Sequence, residues 1–243
     1  MLDNNIRRQI LSLINKEVVP AVGCTEPMAV SLCTARAKEI LNVIPEKITV
    51  LLSANILKNA MGVGIPGTDM IGLPIAIALG AIIGKSQYQL EVIKDLSPES
   101  LEKGKKYVCE KHIEISLKPN ITEKLYIEVI CQSGKNKSTA IISGSHTNFV
   151  YEELNGDILL DKLKDKNISN EETGISLNMK MVWDFAITSP IEELKFILKT
   201  KEYNLKAAEE SIKGNYGHCL GKTMDRPLSR GIFGNSIFSH IIS

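Results

Sequence analysis

The sequence lacks most of the features that would assign it at sight. It has no CxxC pair: Cys24, Cys33, Cys109, Cys131 and Cys219 are scattered along 243 residues, so neither a zinc ribbon nor a thioredoxin-type motif is supported. The N-terminus, Met1-Leu2-Asp3-Asn4-Asn5, is polar and has no apolar run behind it. It is therefore not a secretory leader, and an odd set of cysteines in such a chain argues against a disulfide framework. Neither charge is in excess, since 29 basic residues against 28 acidic ones leave a net +1. No basic cluster is interleaved with aromatics, and nucleic acid is not expected as the main partner, because phosphate neutralisation needs a concentrated basic face. Lys103, Lys105 and Lys106 read as the solvated end of a helix. The apolar stretch from Ile71 to Ile83 is too short to span a bilayer and is broken by Gly72, Pro74 and Gly80. A membrane partner is not expected either, and the chain reads as soluble and cytoplasmic. No internal repeat or low-complexity tract is visible.

What is present begins at Pro20-Ala21-Val22-Gly23-Cys24-Thr25-Glu26-Pro27. Residues 4–19 carry Ile6, Ile10, Leu13, Ile14 and Val18 at a helical period, and Pro20 and Gly23 end that helix. Thr25 offers an N-cap hydroxyl, and Pro27 suits the first turn of a second helix running to about Leu41. A thiol placed just before such a helix faces unpaired N–H groups and the positive end of the dipole. Both favour the thiolate, the form that attacks or binds metal. The plainer alternative is a buried, inert cysteine in a turn.

Farther along, Lys47 to Ser53 reads as a strand, Asn55 to Pro74 as a glycine-rich loop, and Pro74 to Ile83 as a buried helix. Ser97-Pro98-Glu99-Ser100 opens a capped helix to about Cys109. Strands follow at 113–117, 125–130, 138–143 and 149–154. A turn at Ser133-Gly134-Lys135-Asn136 and a hairpin at Asn155-Gly156 lead into 157–160. Residues 161–172 are polar and charged. Helices return at 179–187, from Ser189-Pro190 to Lys199, and from about Glu202 to Gly214. The expected class is α+β, with helical flanks around a mixed, mainly antiparallel sheet. The expected segments are 1–44, 45–175 and 176–243. The apolar series Phe233, Ile237, Phe238, Ile241 and Ile242 ends without a stop signal, as though more protein should follow; uncovered, it would be a pairing surface compatible with a homodimer.

Three stretches could carry chemistry. In Asn55–Gly72 the glycines let backbone N–H groups approach a small anion, and Lys58, Asn59 and Thr68 add donors. No Gly-Lys-Ser/Thr closes the loop, and the bare Gly62-x-Gly64-x-x-Gly67 pattern has Pro66 inside it and no acidic residue at the right place, so nucleotide binding is rejected. A tight structural crossover explains the glycines equally well. Ser143-Gly144-Ser145-His146-Thr147-Asn148 sits between two strands; His146 could bind a carboxylate or move a proton, although a self-satisfied polar turn is the simpler reading. In Asn215–Lys222, adjacent His218 and Cys219 point in different directions, which favours a structural role.

Taken in order, Pro20–Pro27, Asn59-x-x-Gly62-Val63-x-Ile65-Pro66-Gly67-Thr68, Gly72-Leu73-Pro74, Leu90-Glu91-Val92 and Gly144–Asn148 resemble the L-cysteine desulfidase family, relatives of the iron–sulfur L-serine dehydratase alpha chain. The resemblance covers the whole chain but only the N-terminal half of such proteins. It implies a pyridoxal-independent lyase converting L-cysteine or L-serine to pyruvate and ammonia, with sulfide or water. It also implies a [4Fe–4S] cluster on three cysteines whose open iron acts as a Lewis acid. By that resemblance Cys24 is one cluster ligand, the other two lie outside this chain, and the chain is an inactive half. His146 and Asn59 are then the catalytic candidates, with Thr25, Thr68, Thr147 and Asn148 as substrate contacts and Thr25 set at the helix N-terminus for a carboxylate. The alternative reading is a non-catalytic amino-acid-binding or regulatory module that uses the same loops without iron.

Overall fold

Strand β1 (Lys47–Leu52) alternates cleanly, with Ile48, Val50 and Leu52 fully buried and the intervening residues on the other face, the period that a half-covered strand requires. It lies inside a six-stranded sheet of order β4-β1-β5-β6-β7-β8. The remaining strands are β4 (Ile113–Leu117), β5 (Tyr126–Ser133), β6 (Asn136–Ser143), β7 (Phe149–Leu154) and β8 (Asp157–Asp161). β1 pairs in parallel with β4 and antiparallel with β5, and every later pairing is antiparallel. The two tight turns follow from residue type. Gly134 takes φ 56 between β5 and β6, and Asn155 and Gly156 take φ 54 and 95 between β7 and β8. Positive φ at both central residues, as at Asn155 and Gly156, is what a type I′ hairpin demands, while a positive φ at the first alone, as at Gly134, is the type II′ pattern.

Helix α2 (Thr25–Leu41) is buried along most of its length. It packs on β5 and β6 with one face and on α4 (Leu73–Ile82) with another. Helix α2 therefore lies between two layers. The α2–α4 contact is close because Gly80 has no side chain: a Cβ there would stand 2.5 Å from the Ser31 carbonyl oxygen. Helix α5 (Pro98–Cys109), capped reciprocally by Ser97 and Ser100, covers α4. Between β1 and α4 the chain forms α3 (Ala54–Ala60) and a small ribbon of β2 (Gly64–Ile65) and β3 (Met70–Ile71). A 3-10 segment, Ser86–Glu91, contains a kink at Gln89 (φ 52, ψ −130).

The computed structural model describes residues 2–110, 112–163, 175–214, 219 and 223. Two compact units divide the chain: residues 20–172, just outlined, and residues 1–19 together with 173–243. The second unit contains α1 (Asn4–Glu17), α6 (Met179–Thr188), α7 (Ile191–Leu194), a 3-10 turn Lys195–Ile197 and α8 (Leu198–Lys213). Arg7 ties it together, donating to the Thr188 carbonyl at 2.8 Å and meeting Glu193 at 3.4 Å.

The α+β class expected from the sequence is the class found. The expected segment 1–44 is divided instead: α1 groups with the C-terminal helices, while α2 forms the centre of the sheet unit. The stretch 55–74, read as loop, holds α3 and the β2–β3 ribbon, and the two helices expected over 189–214 are α7 and the longer α8. The apolar series from Phe233 to Ile242, His218, and most of the polar stretch 161–172 lie outside the described residues. No helix among the described residues is long and apolar enough to cross a membrane.

Candidate functional site

Cys24, not Thr25, is the N-cap of α2, with extended backbone (φ −71, ψ 136), and its side chain caps nothing. Its thiol turns instead to Glu26, donating to Oε2 at 3.0 Å. The Thr25 hydroxyl donates to the same oxygen at 3.1 Å, and the Asn59 amide, from α3, donates to Oε1 at 3.1 Å. Three polar side chains thus converge on one carboxylate in the first turn of a helix. The loop is held by its neighbours. Val22 N–H donates to the Leu90 carbonyl at 3.2 Å, and Gly23 (φ 75) lies so close to Pro66 that a Cβ would stand 2.8 Å from the ring.

These contacts reverse one expectation. The Cys24 thiol is pushed up from its ordinary range, not down. Burial is the largest cause, and the hydrogen bond to Glu26 and that residue's charge add to it, against backbone N–H groups of Glu26 and Thr25 that pull the other way. The helix terminus does favour negative charge, as expected, but Glu26 has taken that place. Its carboxyl is held down to about 2, first by the Cys24 thiol and then by its own backbone N–H, Asn59 and Thr25, while burial opposes them. Both shifts say that the proton rests on sulfur and the charge on Glu26. For the same reason Thr25 and the helix N-terminus do not await a ligand carboxylate.

The glycine-rich stretch uses its glycines for its own backbone. Thr68 N–H donates to the Ile65 carbonyl at 3.2 Å across Pro66 and Gly67 (φ 75), the residues and sign of φ that a type II turn takes. The Thr68 side chain is buried, donates to Ile65 O at 2.6 Å and accepts from Met70 N–H at 3.1 Å. Thr68 therefore closes its own turn. Asn59 is the one expected residue of this stretch that reaches the Cys24 cluster.

Asn148 is likewise turned on its own loop, its amide donating to the Ser143 carbonyl at 2.9 Å and its N–H to Ser145 O at 3.3 Å. His146 and Thr147 are half-buried in that loop, and no hydrogen bond described here links them to Cys24 or Glu26. The loop and the cluster do share one end of the sheet. Ser138 Oγ donates to Ala37 O at 2.7 Å, and the Cys33 thiol reaches Ala140 O at 3.3 Å, so α2 runs toward its N-terminus as β6 runs toward its C-terminus. Eight residues of helix from Cys33 to Thr25 cover about 12 Å, the rise of about three or four strand residues, which brings the start of α2 level with the turn after Ser143.

Glu26 itself escaped the sequence reading. The available signal was an acidic residue in the first turn of a predicted helix, two positions after the cysteine, but nothing local pointed to Asn59 as its partner. Cys33 and Cys131 are fully buried, with burial pushing Cys33 well up and Cys131 up to about 12. Among the described residues no group of three or more His, Cys, Asp and Glu side chains could hold a metal.

These features define an α+β protein with a thiol, hydroxyl and amide gathered on one carboxylate at the start of its central helix. The chain is 59% identical over 237 residues to a UPF0597 protein of Bacteroides thetaiotaomicron, covering 98% of this chain and 55% of that protein. It is 45% identical over 248 residues to a UPF0597 protein of Porphyromonas gingivalis, covering 100% and 57%. To a UPF0597 protein of Shewanella sp. (strain MR-7) it is 35% identical over 237 residues, covering 97% and 56%. The chain spans a little over half the length of these relatives. No family model matches it, and no solved structure matches it. These relatives correct the sequence-based resemblance: at 45–59% identity over nearly the whole chain, the similar proteins are UPF0597 proteins and not L-cysteine desulfidases. The cluster-ligand role of Cys24 rested on that resemblance and has no other support.

Proposed function

We propose that this chain carries the ammonium-recognising part of a small-molecule site in a cytoplasmic protein, and that the ligand is an α-amino acid or a close analogue. The observation that supports this is the Glu26 carboxylate, half-buried and held in one orientation by Cys24, Thr25 and Asn59. A carboxylate has about four acceptor positions, and Cys24, Thr25, Asn59 and the Glu26 N–H hold this one in place. A fixed, ionised carboxylate selects a cationic group and repels an anion. The ligand's own carboxylate then needs donors elsewhere, and His146 and Thr147, at the same end of the sheet, are suited to that part. The test is calorimetric titration of the full-length protein with glycine, L-alanine, L-serine and L-cysteine under reducing, anaerobic conditions. Saturable binding that weakens about tenfold or more in Glu26→Gln is expected from the loss of one charge-assisted contact; binding of none of the four, or equal binding by the variant, would sink the reading.

Turnover is the narrower form of this reading, namely elimination from L-cysteine or L-serine to pyruvate and ammonia with sulfide or water. It is favoured by the separation of roles in the pair, an acid still carrying its proton beside a carboxylate that has lost its own. Neither group titrates near neutral pH, which supports binding more directly than acid–base catalysis. Pyruvate formation in the same samples distinguishes the two.

A further inference from the structure

We infer that the outer face of helix α6 is a self-association surface, on which a second copy of this chain packs antiparallel across a twofold axis. The sequence of the helix gives it two apolar faces. In Met179–Thr188 only Lys180, Asp184 and Thr188 are polar, and a spacing of four sets them in a single line along the helix. Asn178 fixes the start of the helix by accepting from Met181 N–H at 2.9 Å. One apolar face turns inward: Phe185 is buried and Met181 half-buried, and Arg7 anchors the last turn at the Thr188 carbonyl. The other face carries Met179, Val182, Trp183 and Ile187, whose spacing stacks them into one stripe. That stripe is open to solvent, with Met179 82% exposed, Trp183 64%, Ile187 62% and Val182 46%. A helix apolar on opposite faces is suited to lie between two layers, and only the inner one is supplied by the described residues.

Size and charge together select the occupant. The four side chains leave roughly 500 Å² in the open, so two copies face to face remove on the order of 1,000 Å² from water, about what a specific interface needs. Lys180 and Asp184 run along one flank of the stripe and pair with each other at 2.6 Å. In a parallel pair of α6 helices, each of these charges would lie beside its own kind. A twofold axis crossing near Val182 reverses one helix and sets Lys180 of each copy beside Asp184 of the other, so the face is complementary to itself. The same axis brings both Trp183 rings to the centre of the contact, where binding energy concentrates. The surface belongs to the unit of residues 1–19 and 173–243 and is independent of the Glu26 reading.

Trp183 is the one tryptophan of the chain and therefore reports on this face without a label. The experiment is sedimentation equilibrium of the full chain over about 1–100 μM, the range expected of an interface this small, with Trp183 emission and iodide quenching read in the same samples. A monomer–dimer equilibrium is expected, with emission moving to shorter wavelength and quenching falling as the dimer forms. Ile187→Glu is expected to raise the dissociation constant at least about a hundredfold, because the residue enters a twofold interface twice. Lys180→Glu is expected to raise it about fivefold, rim ion pairs being weak, and adding Asp184→Lys to that variant should restore it. A monomer across the whole range overturns the inference, and a shielded Trp183 in that monomer would show α6 covered by its own chain. Dimers that survive Ile187→Glu, or that form without changing Trp183, use another face and overturn it as well. A double variant no tighter than Lys180→Glu alone refutes the antiparallel arrangement. Should Ile187→Glu lose its helical circular dichroism, Val182→Lys takes its place with the same expectation.

Discussion

Gly80→Ala tests the packing that places the site, because two opposing effects can be weighed before the experiment. Gly80 lies inside α4, where alanine is favoured over glycine by about 1 kcal/mol of helix propensity. Against this, the new Cβ would stand 2.5 Å from the carbonyl oxygen of Ser31 and 2.9 Å from its hydroxyl oxygen. The first of these atoms is backbone and cannot rotate away, so α2 and α4 must separate by most of an ångström along a contact built on close approach. Overpacking of this kind costs about 1–3 kcal/mol, and the gap opened elsewhere along the interface forfeits further dispersion. The net expectation is destabilisation by about 1–2 kcal/mol, which at a urea dependence of about 2 kcal/mol/M moves the midpoint down by about 0.5–1 M. Gly62→Ala is the matched control: nothing lies within 4 Å of its Cβ position and its φ is not in the left-handed region, so a small gain of about 0.5 kcal/mol is expected. Urea denaturation followed by far-ultraviolet circular dichroism gives both numbers. If Gly80→Ala were as stable as wild type or more so, α4 would not be seated on Ser31 and the placement of α2 would need to be redrawn.

Two further outcomes follow from particular residues. Glu26, held down to about 2 in the fold, contributes stability above the ordinary carboxylate range and loses it as pH falls toward its folded value; Glu26→Gln should flatten the dependence of the thermal midpoint between about pH 5 and 3, and parallel curves for the two proteins would contradict the cluster. Gln89 holds φ 52 and ψ −130, a region where a side chain is strained by about 1–3 kcal/mol, while glycine there costs about 0.5–1 kcal/mol in chain entropy. Gln89→Gly should therefore stabilise by about 1 kcal/mol in the same urea assay, and a loss of stability would show that the Gln89 side chain makes a contact worth more than the strain.

Local chemistry made much of the fold legible. The helical period read over residues 4–19, the Ser97-Pro98 cap and the Asn155-Gly156 hairpin are set by a few neighbouring residues; the last two appear where the sequence puts them, and the helix ends two residues early, at Glu17. Long-range pairing was not legible. Nothing in Ile113–Leu117 announces that it lies parallel to β1, because register across the 65 residues from Ile48 to Ile113 depends on what α4 and α5 cover. The site divides in the same way. Cys24 and Asn59 could be picked out by their surroundings in sequence, but Glu26 becomes the centre only when α3 is folded back against α2. The thiol's direction was misjudged for the same reason: the helix terminus can be read from sequence, whereas the carboxylate that already occupies it is a tertiary fact. Thr68 and Asn148 illustrate the converse, since polar residues in turns are commonly used by the turns themselves.

The grouping of residues 1–19 with 173–243 has a consequence for synthesis. Helix α1 leaves the ribosome ahead of the sheet unit, yet the rest of its own unit is encoded roughly 150 residues later, a wait on the order of 10–30 s at ordinary elongation rates. During that interval the whole of the sheet unit emerges and can close on itself, so the earlier segment finds its place after the later one. Ile6, Ile10, Leu13 and Ile14 are meanwhile exposed on a nascent chain, which makes α1, and not the buried centre of the sheet unit, the stretch of this chain most in need of a chaperone.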